Sequence, residues 1–134
     1  MRVIRFLFLL SAFLLVACGA DGGNNDTAVS LPEGPTLLMF YTEAWPPWAA
    51  MEPIVNGLEA EFSGQIEVLR LDANVQENVE LQRQYGLQGH PAFVVLDEEG
   101  TAVQIFFGSQ TEEVLRGAIR AVVGPWRGRP DRFT

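Results

Sequence analysis

Residues 37–55 read LLMFYTEAWPPWAAMEPIV: a continuous apolar run, then two tryptophans flanking two prolines, then a pattern of helical period. TLLMFY, residues 36–41, is short, apolar and followed by helical spacing, the signature of a strand buried on both faces in a parallel sheet. From Pro47 to about Phe62, the residues Met51, Val55, Leu58 and Phe62 recur at intervals of four, three and four, one stripe of an amphipathic helix. Trp45 and Pro46 each precede a proline and are biased away from the α region, so the helix is predicted to begin at about Pro47, where a missing N–H does no harm. Pro53 falls inside it and removes one intrahelical hydrogen bond.

Working outward, GQIEVLRLD at 64–72 supplies a turn and a second strand, and VQENVELQRQYG at 75–86 a more polar helix ended by Gly86. PAFVVLDEEGTAVQIFFG reads as two strands joined by an acidic turn at Gly100. A last helix over 111–123 is expected to set Val114, Leu115, Ala118 and Val122 on one side. Strand, helix, strand, helix, strand, strand, helix gives a βαβ unit followed by a ββα unit. The economical solution is an α/β/α sandwich around a four-stranded mixed sheet.

The opening stretch resembles the active-site segment of the thioredoxin family, in which an apolar strand leads into Trp-Cys-Gly-Pro-Cys and a proline follows five residues after the second cysteine. Pro53 lies five after Trp48. The resemblance sets the family's two redox cysteines at Trp45 and Trp48, its glycine at Pro46 and its motif proline at Pro47, with Ala44 in place of the preceding tryptophan. It continues through Asp72, through YGLQGHPAF at 85–93, where Pro91 falls on the family's cis-proline, and through Gly108. The implied fold is the short form of the thioredoxin sandwich, without the N-terminal strand and helix. Met39 falls where the family keeps a buried aspartate near its cysteines.

Disulfide exchange needs a thiolate to attack and a second thiol to resolve the mixed disulfide. Trp45 and Trp48 supply neither, and Cys18 is the only cysteine in 134 residues. The expectation is a redox-inactive domain, not an oxidoreductase. The resemblance implies a helix start whose backbone N–H groups hold a thiolate in the family; here that anion is absent. Two readings of the tryptophans stand open: the rings close over a retired site, or at least one lines a groove for extended peptide with Pro46, Pro47, His90 and Pro91. In the second, the resemblance implies that the residue before the cis-proline, His90, offers its backbone in strand-like pairing.

The N-terminus carries Arg2 and Arg5 ahead of FLFLLSAFLLVA, the form of an export signal, too short for the roughly 20 residues that span a bilayer. Leu15, Val16, Ala17 and Cys18 resemble a bacterial lipobox, which implies cleavage before Cys18 and a lipid on its sulfur. The expected organisation is a signal peptide over 1–17, a lipidated cysteine and Gly/Asn/Asp-rich tether over 18–34, the folded domain over 35–124 and a C-terminal tail over 125–134. The expected location is a cell-envelope membrane, held by the lipid with the domain outside the cytoplasm, and Gly19 after the cysteine favours the outer membrane where there are two. The expected partners are envelope proteins or extended peptides, with the oligomeric state left open.

The formal charge of −8 argues against a nucleic-acid surface, and the absence of lysine excludes Schiff-base or lysine general-base chemistry. His90, the only histidine, is most simply a surface imidazole bonded locally; a metal site would need partners that the spacing does not name. No cofactor or metal is expected. The tail GPWRGRPDRFT is locally basic and carries Trp126 and Phe133, either loose or docked on the acidic body.

Overall fold

The computed structural model describes residues 29–44 and 46–125. The signal segment, Cys18, most of the tether, Trp45, Trp126 and Phe133 lie outside the described residues. The elements run β1 (Thr36–Tyr41), α1 (Pro46–Glu61), β2 (Glu67–Asp72), α2 (Gln76–Gln84), β3 (Ala92–Leu96), β4 (Ala102–Phe107) and α3 (Glu112–Val123).

The strands form a four-stranded sheet in the order β2-β1-β3-β4. β2 is parallel to β1, with Tyr41 opposite Asp72. β3 is antiparallel to both β1 and β4, with an irregularity at Val95/Leu96. The apolar character of TLLMFY follows from its central place, since Leu37, Leu38, Met39 and Phe40 are all fully buried.

Alternation along the strands divides the core in two. On one face Leu37, Met39, Val68, Phe93 and Val95 meet Met51, Val55 and Leu58 of α1 and Leu115, Ala118 and Ile119 of α3. On the other, Leu38, Phe40, Leu71, Ala92, Val94 and Leu96 meet Leu81 of α2. The result is the α/β/α sandwich that the pattern predicts.

α2 has little to bury and is held by polar anchors instead. Val75 stands at its N-cap without a side-chain cap. Asn78 Nδ2 donates to the Asp72 carbonyl at 2.8 Å, and Gln82 Nε2 donates to the Ala73 carbonyl at 3.0 Å. Both side chains are buried, so these bonds satisfy polar groups that would otherwise carry a desolvation cost. Gly86 closes the helix with φ of 65°, a left-handed conformation that glycine adopts without steric cost.

Two expectations need correction. Val114 is 42% exposed, and the buried stripe of α3 is Leu115, Ala118 and Ile119, with Val122 packed at its margin. Val114 sits about 100° round the helix from Leu115, outside that stripe. Secondly, Val29 and Leu31 pack against the second core cluster. The folded body therefore recruits the end of the stretch expected to be a free tether, through two apolar residues at strand-like spacing.

Candidate functional site

The site is built where β1 ends and α1 begins. Pro46 is the first residue of α1, one earlier than the spacing predicts, so both prolines occupy the first turn. Neither has an N–H, so the helix start loses two of the donors through which such ends hold anions. Pro46 is exposed and Pro47 half-buried.

Trp48 follows on the helix and is half-buried. Its ring stacks on that of Tyr41, with centroids 4.6 Å apart and planes at 27°. An offset stack of this kind contributes about 1 kcal/mol beyond area burial. Both rings rest on the core cluster beneath α1 and α3. Trp48 thus covers the core with one part of its surface and leaves another part in solvent, so it neither disappears into the interior nor stands free.

Three carboxylates lie near enough to Tyr41 to act on its charge. Asp72 lies opposite Tyr41 on the neighbouring strand, Glu43 follows Tyr41 by two residues, and Glu52 follows Trp48 by one helical turn on the same side of α1. Burial pushes the Tyr41 phenol above its ordinary value, and the charges of Asp72, Glu43 and Glu52 push it further in the same direction. Asp72 also caps its own turn, with Oδ1 accepting from the Asn74 N–H at 2.9 Å. Among the described residues none of the three has an ion-pair partner, because Arg70, Arg83, Arg116 and Arg120 are engaged with Glu59, Glu80, Glu61 and Glu112.

His90 and Pro91 belong to the loop before β3. The His90–Pro91 peptide bond is cis and Pro91 is buried, which is the isomer the resemblance implies. The Pro91 carbonyl accepts from the Gly108 N–H at 2.7 Å, tying the loop to the end of β4. His90 is not the locally bonded surface imidazole expected: it is half-buried and its Nδ1 is buried without a hydrogen-bond partner. Desolvation lowers its pKa, so the ring is neutral at neutral pH. A recess of about 490 Å³ beside this loop is walled by Gly86, Gln88, Gly89 and Phe107; neither Trp48 nor Pro91 is among its walls.

Of the residues singled out in the sequence, Pro46, Pro47 and Trp48 come together with Tyr41; Trp45 lies outside the described residues. Tyr41, Glu52 and Asp72 were not anticipated as part of one site. The i, i+4 relation of Glu52 to Trp48 was available from helical period alone, whereas the Tyr41–Asp72 adjacency depends on β-register, which spacing does not give. Among the described residues no group of three or more His, Cys, Asp or Glu could hold a metal ion, and no helix is long and apolar enough to cross a membrane.

An α/β/α sandwich with a cis-proline before β3 and a proline-rich helix start after β1 defines a thioredoxin-fold domain, and here it has no cysteine pair. The thioredoxin family model matches residues 20–121, and the chain belongs to that family. It is 32% identical over 97 residues to a thiol:disulfide interchange protein TxlA homologue of Synechocystis, covering 72% of this chain and 54% of that protein. The chain therefore spans about half the length of that relative. It is 27% identical over 81 residues to a thioredoxin of Rickettsia felis, covering 60% of this chain and 74% of the other. Among solved structures, a mutant thioredoxin of Halobacterium salinarum matches with a TM-score of 0.61 and 26% identity, over 70% of this chain and 79% of that one. With one cysteine in the chain, Cys18, no CxxC site can form, and dithiol exchange is precluded.

Proposed function

We propose that the chain is a membrane-anchored, redox-inactive thioredoxin-fold protein that binds or scaffolds other envelope proteins through the surface around Trp45, Trp48 and Pro91. The observation that carries this reading is the half-exposed Trp48 stacked on Tyr41, at the position the resemblance assigns to the second redox cysteine. A large ring braced by a second ring and still open to solvent has the character of an interface anchor, since little side-chain entropy remains to be lost on binding. The backbone of His90, which has no turn or loop hydrogen bond among the described residues, supports strand-like pairing with an extended segment.

In this reading residues 1–17 are removed as a signal peptide, Cys18 carries the lipid, the stretch to residue 34 links it to the domain over 35–124, and 125–134 form a tail. Labelling cells with a radioactive fatty acid tests the anchor: label on the protein and its loss in Cys18→Ser are expected, and an unlabelled protein refutes the anchor. A photo-crosslinking amino acid at position 48 tests the surface. Crosslinks to envelope proteins that vanish on denaturation are expected; crosslinks to none overturn it.

A second reading is favoured by the printed name of the Synechocystis relative, a thiol:disulfide interchange protein. There the domain holds substrates for a separate oxidoreductase in envelope thiol homeostasis. Captured partners that carry cysteines or a CxxC enzyme would support it, and cysteine-free partners would exclude it. Insulin reduction above the Trp48→Ala level would overturn redox inactivity in both readings.

A further inference from the structure

We infer that the Tyr41–Trp48 pair, with Glu43, Glu52 and Asp72 around it, is a docking site for an arginine side chain presented by an extended segment of a partner protein. The inference rests on the binding reading above and names the chemistry of what that surface takes.

Aromatic faces attract cations through their quadrupole, and a guanidinium is favoured over an ammonium because it is planar, less strongly hydrated and stacks on rings. Stacked rings with centroids 4.6 Å apart offer one such platform, and the exposed part of Trp48 is its accessible side. Carboxylates beside the rings then hold the guanidinium in place by charge-assisted hydrogen bonds. Asp72 comes from β2, Glu43 from the β1–α1 turn and Glu52 from the second turn of α1, so they approach from three separate elements.

Two further observations bear on charge. A helix start ordinarily repels cations, since its free N–H groups carry partial positive charge. Pro46 and Pro47 remove two of those groups here. The protein also contains no lysine, and every arginine among the described residues is paired elsewhere, so none of these arginines complements the three carboxylates.

The test uses the full chain in nonionic detergent and three fluorescein-labelled peptides of one valine- and threonine-rich sequence. The central residue is arginine, citrulline, which has nearly the same shape without the charge, or glutamate. Fluorescence anisotropy is expected to show the arginine peptide binding about tenfold more tightly than the citrulline peptide and the glutamate peptide weakest. That preference is expected to collapse in Glu52→Gln with Asp72→Asn, while Trp48→Ala weakens all three peptides. A control carrying Glu77→Gln and Glu113→Gln, both exposed acids outside the site, is expected to keep it.

Equal binding of arginine and citrulline peptides, with both weakened by Trp48→Ala, overturns the arginine site and leaves the peptide surface standing. Binding of none of the peptides, or binding indifferent to Trp48→Ala, overturns both. Equal loss of preference in the remote control shows bulk attraction to an acidic protein and overturns the site. Unchanged near-UV and far-UV circular dichroism in the Glu52→Gln, Asp72→Asn variant is required for its loss of preference to count, and Glu43→Gln provides a second variant of the same surface.

Discussion

Acids drawn from several elements gather near both ends of helix α1, and the fold treats the two groups in opposite ways. At the C-terminal end Glu59 accepts from Arg70 at 2.6 Å, and Glu61 is shared by Arg116 at 2.9 Å and Arg120 at 3.5 Å, with Glu112 also on Arg116. These pairs tie α1 to β2 and α3. At the N-terminal end Glu43, Glu52 and Asp72 surround two stacked rings, and among the described residues no cation meets them. One end has its charges matched within the fold; the other holds like charges together without a partner.

The contrast is sharpest in side-chain truncations. Leu58→Ala, in the fully buried core near the paired end, is expected to destabilise by about 3 kcal/mol in urea denaturation. Trp48→Ala is expected to cost only about 1.5 kcal/mol because the ring is only partly buried. Equal losses would mean that the tryptophan is core, and the difference between the ends would disappear.

Charge removal is expected to separate the ends by sign. Arg116→Ala leaves Glu61 and Glu112 without their shared cation, so its melting temperature falls, and high salt narrows the gap to the parent. Glu52→Gln removes an acid that has no ion-pair partner among the described residues, and is expected to leave the melting temperature unchanged or slightly raised. A clear fall on Glu52→Gln would show that this acid is structurally engaged after all.

A smaller effect concerns acid. Because burial lowers the His90 pKa below its ordinary 6.5, the contribution of neutral His90 is fully present above that value. It is lost as pH falls from 6.5 toward the depressed folded value, where the unfolded chain takes up the proton first. The melting temperature is therefore expected to fall further between neutral and mildly acidic buffer in the parent than in His90→Gln. Parallel pH profiles would remove His90 from the account.

The finest readout is the phenol of Tyr41. In a Tyr85→Phe background its absorbance titration is expected above the ordinary 10.0, and Asp72→Asn with Glu52→Gln lowers it without restoring 10.0, since burial is the larger cause. Full restoration would assign the shift to charge alone.

How much of this was legible beforehand depended on whether the signal was local. Met51, Val55, Leu58 and Phe62 disclosed the buried face of α1 because helical period reports burial directly, and all four are buried. In α3 the apolar residues are dense enough to permit two stripes one residue apart, and the choice between Val114 and Ile119 was made by packing on α1 and the sheet. Position in the family motif identified Trp48, but what it touches could not be read locally. Its partner Tyr41 lies across a turn, and Asp72 reaches them only through strand register. Val29 and Leu31 were hidden by a polar composition that averaged over two apolar residues.

The strand order β2-β1-β3-β4 has a consequence for assembly of the chain itself. Everything from Thr36 to Asp72 makes one parallel unit around α1, and everything from Ala92 to Val123 makes a hairpin with its own helix. Within the sheet these halves meet along a single seam, Thr36 to Phe40 against Leu96 to Ala92. Joining that seam closes a long loop, a non-local step of the kind that slows folding. Cleavage in the α2–β3 loop would accordingly yield two fragments with complementary apolar edges, and their reassociation would depend on that seam together with the packing of α1 on α3.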